Sequence, residues 1–470
     1  QQEQEAFFRR QFQTQFQHSV RQQQQEQQQG KRPNINSPVK IDIPGNGVLN
    51  PSKHHQRYRL NEYDKRNAFY QWWYFYIQDL ELNRHYAMSY GMTKCNRAAN
   101  CQFEMAALMF AMIDNKSGAH FQKYEVFPLS HWIVHDEFHV QVYSQSVVSA
   151  IDDGKINTAG AQLLFELKPL SDDKIRLTGQ MKESSKNVWI VEGVQPNTPV
   201  SWDITIERVY GYYAQDVFER PDEWFRGVIM WNTYAHNSLV HDAQISIGGQ
   251  NQYLDHATDP SGTRYRAYGD GNWGQLMPDN EKHPEDLDYS WGWFQNHLPN
   301  KNPQLDVSVI AGTGKSYTSF PFYTMEGKFG DVRLNSTVHI EFREVTVYKI
   351  KLTSCNDGKL LRFNVQRNNW TTINDQFGSA QIPLDQTVTM ESENWIVIQD
   401  CKSVPSNYNR LLFPFKDFVF SDFEGLGAVC RLTIKYKVTG EIVIDRSNIQ
   451  SGIEYGFRYN TRNVPPMPWK

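Results

Sequence analysis

The stretch that decides the fold runs from Arg264 to Gln295 and reads RYRAYGDGNWGQLMPDNEKHPEDLDYSWGWFQ. It places one carboxylate, Asp270, among aromatic residues, namely Tyr265, Tyr268, Trp273, Tyr289, Trp291, Trp293 and Phe294. A carboxyl group enclosed by aromatic rings loses hydration, so its charged form is disfavoured and its pKa tends to rise. Such a group can stay protonated near neutral pH and act as an acid. The alternative is a structural aspartate in a glycine-rich turn, which is a common use of this residue.

A second aromatic stretch, Gln71-Trp-Trp-Tyr-Phe-Tyr-Ile77, lies near the start of the first folded unit. Because a strand points alternate side chains to opposite faces, both of its faces are apolar. One face can pack inside a barrel and the other against a second domain, although plain core packing would also explain the pattern. Aromatic rings bury apolar ligands and attract cations through their negative faces. The predicted ligand-binding residues are Trp72, Tyr74, Tyr268, Trp273, Tyr289, Trp291 and Trp293.

Composition limits the functions that this chain can have. Its 470 residues predict two or three domains, and a content of 14% aromatic residues, 13 of them Trp, can fill a core and still line a pocket. The formal net charge is −4 and there is no long basic block, which argues against nucleic acid as a partner. The longest apolar run, from Ala106 to Ile113, is too short to span a bilayer.

Turn residues and hydrophobic alternation divide the chain into three parts. Residues 1–57 form a Gln-rich arm and linker, which we expect to be disordered or weakly helical. Residues 58–208 and residues 209–470 each contain many short strand-like segments and no long helical period. Short strands separated by turn residues at regular intervals predict antiparallel barrels, so we expect an all-β protein with two barrels in tandem.

Cysteines and sequons favour a secreted protein. Cys95 and Cys101 flank a short polar turn, a spacing that suits a disulfide closing a hairpin, and for the later cysteines we favour Cys355 with Cys401. In a secreted protein, N-glycosylation is expected at three sequons, which begin at Asn115, Asn335 and Asn369. We therefore expect the protein to be secreted or to reside in the lumen of the secretory pathway.

Two histidines precede the Asp270 stretch. His236 and His241 could point into a barrel and serve as proton partners of the acid, or they could be ordinary hydrogen-bonded core or loop histidines. The histidines of the segment 131–139 lack a cysteine partner and the order of known zinc motifs. No phosphate-binding loop or dinucleotide fingerprint is found in the sequence. We therefore expect neither a metal nor a cofactor.

Several motifs together resemble a known family. The segment Ala267-Tyr-Gly-Asp-Gly-Asn-Trp-Gly274 matches the A-x-x-D-x-x-W-G pattern of the carotenoid 1,2-hydratase and AttH-like group. Met277-Pro278, Trp291-Gly-Trp-Phe-Gln295 and Ser308-Val-Ile-Ala-Gly312 resemble the second half of tocopherol cyclase-like proteins. Tyr70-Gln-Trp-Trp-Tyr-Phe75 is similar to the WWYF signature of the same group. Where tocopherol cyclase carries Glu before a Lys, this chain has Asp270 followed by Gly271.

The resemblance covers roughly residues 60 to 350 and implies two lipocalin-like β-barrels with a ligand cavity. It also implies a cyclase, hydratase or isomerase that needs no metal or nucleotide and acts on a hydrophobic terpenoid or polyene. Asp270 would then protonate an alkene, and the tryptophans would stabilise the resulting cation. The alternative is a secreted carrier of a pigment, lipid or hormone, which needs the same rings but no acid. The Gln-rich arm alone leaves open a storage or structural protein.

Overall fold

The computed structural model describes a chain built almost entirely of β-strands. The described residues are 68–95, 104–135, 139–148, 155–183, 197–214, 230–276, 290–317, 324–334, 338–347, 350–375, 378–415 and 418–460. The predicted Gln-rich arm, residues 1–57, lies outside these ranges. Within them, the helices are short 3₁₀ turns, and none has the length or the apolar character needed to cross a membrane.

The strands form two large antiparallel sheets, which confirms the predicted all-β, tandem fold class. The first sheet comprises β1 Ala68–Asp79, β2 Arg84–Cys95, β3 Met105–Asp114, β4 Ala119–Phe127, β5 Trp132–His135, β6 His139–Tyr143, β7 Leu163–Pro169, β8 Lys174–Met181, β9 Val200–Ala214, β10 Met230–Ile247, β11 Gln250–Leu254 and β12 Tyr265–Leu276. The second comprises β13 Ser290–Leu298, β14 Val307–Tyr317, β15 Thr324–Leu334, β16 Val338–Val347, β17 Ile350–Cys355, β18 Leu360–Asp375, β19 Gly378–Ser392, β20 Trp395–Lys402, β21 Tyr408–Phe415, β22 Phe418–Tyr436 and β23 Glu441–Asn460.

Both sheets follow the same plan. The first runs in the order β4-β3-β2-β1-β12-β10-β9-β8-β7-β6-β5, and the second in the order β17-β16-β15-β14-β13-β23-β22-β20-β19-β18. In each, the first strand along the chain pairs with the last, β1 with β12 and β13 with β23. This pairing of the first strand with the last places the two aromatic stretches of the sequence beside long partner strands.

The chain passes from the first sheet to the second between Leu276 and Ser290. The predicted domain boundary at residues 208 and 209 lies earlier in the chain, within β9. The reason is that β10 and β12 pair with β9 and β1 and so complete the first sheet. The Asp270 stretch therefore spans the change from one sheet to the other, because it begins in β12 and ends in β13.

Three apolar clusters hold the molecule together: one inside each curled sheet and one between the sheets. Strand β1 contributes to two of them, because Trp73 and Phe75 point into the first sheet while Tyr74 and Tyr76 point toward the second. Of the two alternatives for this strand, the structure agrees with the one in which one face packs inside a barrel and the other between the sheets. Within the first sheet, Trp202 of β9 stacks on Phe110 of β3 at 5.1 Å between ring centroids, which shows how far the sheet curls.

The predicted pairing of Cys355 with Cys401 is wrong. Cys401 of β20 lies directly opposite Cys430 of β22, and these two form a disulfide across a Cα separation of 4.1 Å. Cys355 ends β17 and is a free cysteine. Cross-strand register decides the partner here, and spacing along the chain does not reveal it. Cys95 ends β2, while Cys101 lies outside the described residues, so that pairing stays a prediction.

The Cys401–Cys430 bond closes a loop with a sequence separation of 29. Removing both cysteines, as in Cys401→Ala with Cys430→Ala, should lower the free energy of unfolding by about 2–4 kcal/mol, because the unfolded chain regains the entropy of that loop. Urea denaturation measures the change. Cys355→Ala is the matched control and should have a smaller effect, and an equal loss in both variants would contradict the prediction.

The three predicted glycosylation sites differ in their surroundings. Asn115 donates hydrogen bonds from Nδ2 to Asn83 Oδ1 at 3.0 Å and to the Gly427 carbonyl at 3.2 Å, which joins the two sheets. A sugar on that nitrogen would break both contacts, so the folded protein does not favour modification of Asn115. Asn369 is exposed on β18, and Asn335 lies outside the described residues.

Candidate functional site

The candidate site lies between the two sheets, where two rows of side chains face each other. On the first sheet, Asp270 of β12 lies between Tyr74 of β1 and Ala235 of β10. On the second sheet, Glu454 of β23 lies between Trp293 of β13 and Glu424 of β22. The last strand of each sheet, β12 in the first and β23 in the second, therefore carries one of these carboxyl groups. Both groups face the interface between the sheets.

Asp270 is held by two hydrogen bonds. The Tyr268 hydroxyl donates to Oδ2 at 2.7 Å, and Asn272 Nδ2 donates to Oδ1 at 2.6 Å. Trp293 Nε1 in turn donates to the Tyr268 hydroxyl at 2.7 Å, so the second sheet orients the acid through this tyrosine. Asp270 is only 4% exposed, and burial raises its pKa to about 7 although both hydrogen bonds act to lower it.

Three further carboxyl groups lie on the second sheet. Those of Asp422 and Glu424 are buried, and that of Glu454 is half-buried. Burial is the first cause that raises the pKa of each well above its usual range, and the charges of neighbouring carboxyl groups, Asp270 included, add to it. Their ligand atoms all lie within 4.8 Å of one another, close enough to share protons or to hold a metal ion. We refer to these three residues with Asp270 as the carboxyl cluster.

No Lys, Arg or His side chain among the described residues forms an ion pair with any member of the carboxyl cluster. If all four carboxylates were ionised, they would repel one another. The cluster is therefore expected to carry several bound protons at neutral pH, which it can give up or take back as one coupled unit.

Aromatic rings enclose the carboxyl cluster. Trp291 Nε1 donates to Glu454 Oε1, and Trp293 stacks on Phe329 with 6.3 Å between ring centroids. The Tyr74 hydroxyl is buried, and burial followed by the charge of Glu424 raises its pKa well above the usual range. The rings and the acids thus form one water-poor environment.

One end of this environment is less enclosed. Trp72 and Trp291 are half-buried and pack against the inter-sheet cluster, whereas Tyr268 and Asp270 are fully buried. Gly314 lies opposite Trp291 in β14 and is also half-buried, and a Cβ added to it would meet no atom within 4 Å. The tryptophan end is therefore the side from which a ligand could approach Asp270.

Neither predicted histidine reaches Asp270. Ala235 is the residue opposite Asp270, so its neighbour His236 points to the other face of the sheet. There its Nδ1 lies 2.8 Å from Ser238 Oγ, and its ring packs against Phe75 in the first core.

Burial is the main cause that lowers the pKa of His236 well below its usual range, with the charge of Arg208 adding to it. His241 is engaged elsewhere, with Nε2 at 2.9 Å from Glu207 and Nδ1 at 3.6 Å from Asp255. The predicted role of the two histidines in proton transfer to or from Asp270 is wrong for both.

The other predicted ligand-binding residues divide by position. Trp72, Tyr74, Tyr268, Trp291 and Trp293 all belong to the inter-sheet layer. Trp273 lies on β12, but its side chain is outside the described part of the structure, as is the whole of Tyr289. Their roles stay predictions.

Sequence reasoning missed Asp422, Glu424 and Glu454. The segment Phe420-Ser-Asp-Phe-Glu424 places acids at alternate positions next to aromatic residues, and Ile453-Glu-Tyr-Gly-Phe457 has a single acid, Glu454, among apolar residues. Acids on one face of an otherwise apolar strand are costly unless they have a use. That alternation was the signal available in the sequence.

Comparison with known proteins adds little. No protein-family model matches the chain, and no curated protein matches it. Among solved structures it is similar to kievitone hydratase from Nectria haematococca, with 12% identity, a TM-score of 0.47 and coverage of 92% of this chain and 99% of the other. An AttH-like protein from Nitrosomonas europaea gives 10% identity, a TM-score of 0.40 and coverage of 92% and 100%.

Proposed function

We propose that the protein is a cofactor-independent hydratase, cyclase or isomerase that protonates an alkene of a hydrophobic terpenoid or polyene. The observation that carries the proposal is the state of Asp270, a buried carboxyl group with a pKa of about 7 in an aromatic environment. A general acid works best when its pKa lies near the working pH. A carrier of an apolar ligand would need the rings but gains nothing from buried acids.

The proposed reaction starts with the transfer of a proton from Asp270. The proton on Asp270 moves to the less substituted alkene carbon, which forms a C–H bond and leaves a cation on the other carbon. Trp291, Trp293 and Tyr74 present rings that stabilise that cation. Water or an internal hydroxyl then adds to the cation and loses a proton, which returns to the Asp270 carboxylate. Loss of a proton from carbon instead gives an isomer.

The other carboxyl groups support this step electrostatically. Once Asp270 has given up its proton, the cation lies beside a carboxylate and close to Glu454 and Glu424. Their partial negative charge stabilises positive charge on the substrate more than it does the neutral alkene. The same groups can pass a proton back to Asp270 between turnovers.

Deuterium incorporation tests the proposal. The purified protein is incubated in D₂O, with a chelator present, with geraniol, geranylgeraniol, squalene and lycopene in turn, and the products are analysed by mass spectrometry. A new C–D bond in at least one product supports alkene protonation. If every probe is recovered unchanged, or tightly bound without deuterium, the enzyme proposal fails and the carrier takes its place.

The pH dependence of turnover has a defined direction. The acid form of Asp270 is required, and it predominates below the folded-state pKa of about 7. Activity should therefore be highest on the acidic side and should fall as pH rises through about 7, by roughly tenfold for each further pH unit. Initial rates between pH 5 and 9 measure this, and a rate that rises with pH over that range would contradict it.

We further propose that the protein works in the secretory pathway or outside the cell. The Cys401–Cys430 disulfide is consistent with an oxidising compartment. The exposed sequon at Asn369 would then be available for glycosylation.

A further inference from the structure

The interior of the second sheet contains an arginine that the proposed reaction does not use. Arg367 lies on β18, two residues after Val365, and therefore points to the same inner face as Val365 and Phe363, which belong to or pack on the second core. Its guanidinium reaches across the interior to β13, where a Cβ on Gly292 would lie 2.6 Å from Nη2. Gly292 thus makes room for this side chain.

All contacts of Arg367 with the described residues are to neutral groups. Nε donates to Gln386 Oε1 at 3.1 Å, and Nη2 donates to Thr313 Oγ1 at 3.3 Å. The guanidinium also lies over the Tyr455 ring, 5.2 Å from its centroid. Burial lowers the pKa of Arg367, and no carboxylate within the described ranges forms an ion pair with it. A half-buried guanidinium whose contacts among the described residues are all neutral would be stabilised by an anion that joins it.

A second donor lies beside it. Gln386 is fully buried, and since its Oε1 accepts from Arg367, its Nε2 lies on the same amide group, next to the guanidinium. That Nε2 has no hydrogen-bond partner of good geometry among the described residues. Among the described residues the guanidinium thus has only neutral acceptors, and the Gln386 amide places a second donor beside it.

The buried carboxylate of Glu344, on the same sheet, already pairs with Lys328 at 2.9 Å and with Lys351 at 2.7 Å. Next to the guanidinium, the face is aromatic, because Tyr455 packs on Phe457 with 5.7 Å between ring centroids. A charged donor beside aromatic rings suits an anionic head group on an apolar chain.

The edge of the second sheet leaves a route by which a ligand could reach Arg367. The strand order of the second sheet ends at β17 on one side and at β18 on the other, so β18 is an edge strand. Arg367, Thr313 and Tyr455 are half-buried, whereas Phe363 and Gln386 are buried. An amphipathic molecule could therefore enter beside β18.

We infer that the second sheet has its own binding site, distinct from the carboxyl cluster, for an apolar molecule that bears a carboxylate. The carboxylate accepts hydrogen bonds from Arg367 and from Gln386 Nε2, and the apolar chain lies along Tyr455 and Phe457. This inference does not depend on the proposed reaction, because it uses the opposite face of β13 and β23.

Dodecanoate and its uncharged counterpart dodecanol test the site. Isothermal titration calorimetry at pH 7.5 should show that the full chain binds dodecanoate at least about tenfold more tightly than dodecanol, which is the effect of one hydrogen bond to a charged group. Arg367→Gln should remove that preference and leave dodecanol binding unchanged. Arg431→Gln, which removes an exposed arginine of the same sheet, is the matched control and should bind as the wild type does.

Additional variants distinguish loss of the binding site from loss of folding. If Arg367→Gln does not fold, as judged by circular dichroism, Arg367→Lys keeps the charge, and it should retain a preference for dodecanoate. Asp270→Asn should leave dodecanoate affinity unchanged, which separates this site from the carboxyl cluster. Equal affinity for the two probes, unchanged binding by Arg367→Gln, or acetate binding as tightly as dodecanoate would each overturn the inference.

Discussion

Replacing Asp270 by asparagine should lower turnover by at least about a hundredfold, the lower range for a lost general acid. Asparagine has nearly the same shape and can still accept a hydrogen bond from Tyr268, but it has no proton to give. Initial rates on the probe that shows C–D bond formation measure the loss. Unchanged turnover would remove Asp270 from the mechanism.

The matched control for this variant is Asp331→Asn. Asp331 is also a buried aspartate, 1% exposed, and its Oδ2 lies 2.6 Å from His339 Nε2, away from the carboxyl cluster. It should retain most of the activity even if it is less stable. Equal losses in the two variants, with both proteins folded by circular dichroism, would point to a general effect of removing a buried carboxylate.

Some of this arrangement could be predicted from the sequence. The aromatic environment of Asp270 indicated burial and a raised pKa, and the structure shows both. Strand alternation assigned the two faces of Trp73 and Tyr74, and the structure confirms that they belong to different cores. These inferences succeed because they depend on near neighbours along one strand.

Other parts depend on pairing between distant strands. Glu454 and Glu424 lie 30 residues apart in the chain and more than 150 residues after Asp270. The pairing of β22 with β23 places the two glutamates opposite each other, and the packing of the two sheets brings Asp270 near both. Cys430 likewise becomes the partner of Cys401 through cross-strand register. Register is set by the whole sheet and not by local spacing.

The histidines illustrate a third limit. His236 and Ala235 are neighbours, yet only one of the two positions can face Asp270, and a shift of one residue exchanges the faces. The sequence gives no signal that decides which of the two residues faces Asp270, because the residues on both sides of His236 suit either face of the sheet. A candidate acid can thus be found from composition around it, whereas its proton partners need the register.

The second large effect is expected at Asp306, where the two sheets are joined. Arg266 of β12 is fully buried and donates from Nε to Asp306 Oδ2 at 2.7 Å and from Nη2 to Oδ1 at 3.2 Å. His297 Nε2 lies 2.6 Å from the same carboxylate. Burial alone would raise the pKa of Asp306, but the hydrogen bonds and charges of His297 and Arg266 hold it below the usual range.

Asp306→Asn should lower the free energy of unfolding by about 3–5 kcal/mol at pH 7, because it leaves the Arg266 guanidinium buried without a counter-charge. Urea denaturation measures the loss. Asp445→Asn breaks an exposed pair with Arg431 and serves as the matched control, with little change expected. Since the pKa of Asp306 is lowered on folding, its contribution is present above the unfolded-state value and is lost as pH falls through the folded-state value. The gap between wild type and variant should therefore shrink in acid, and a gap that stays constant down to pH 2 would show that the charge of Asp306 is not its cause.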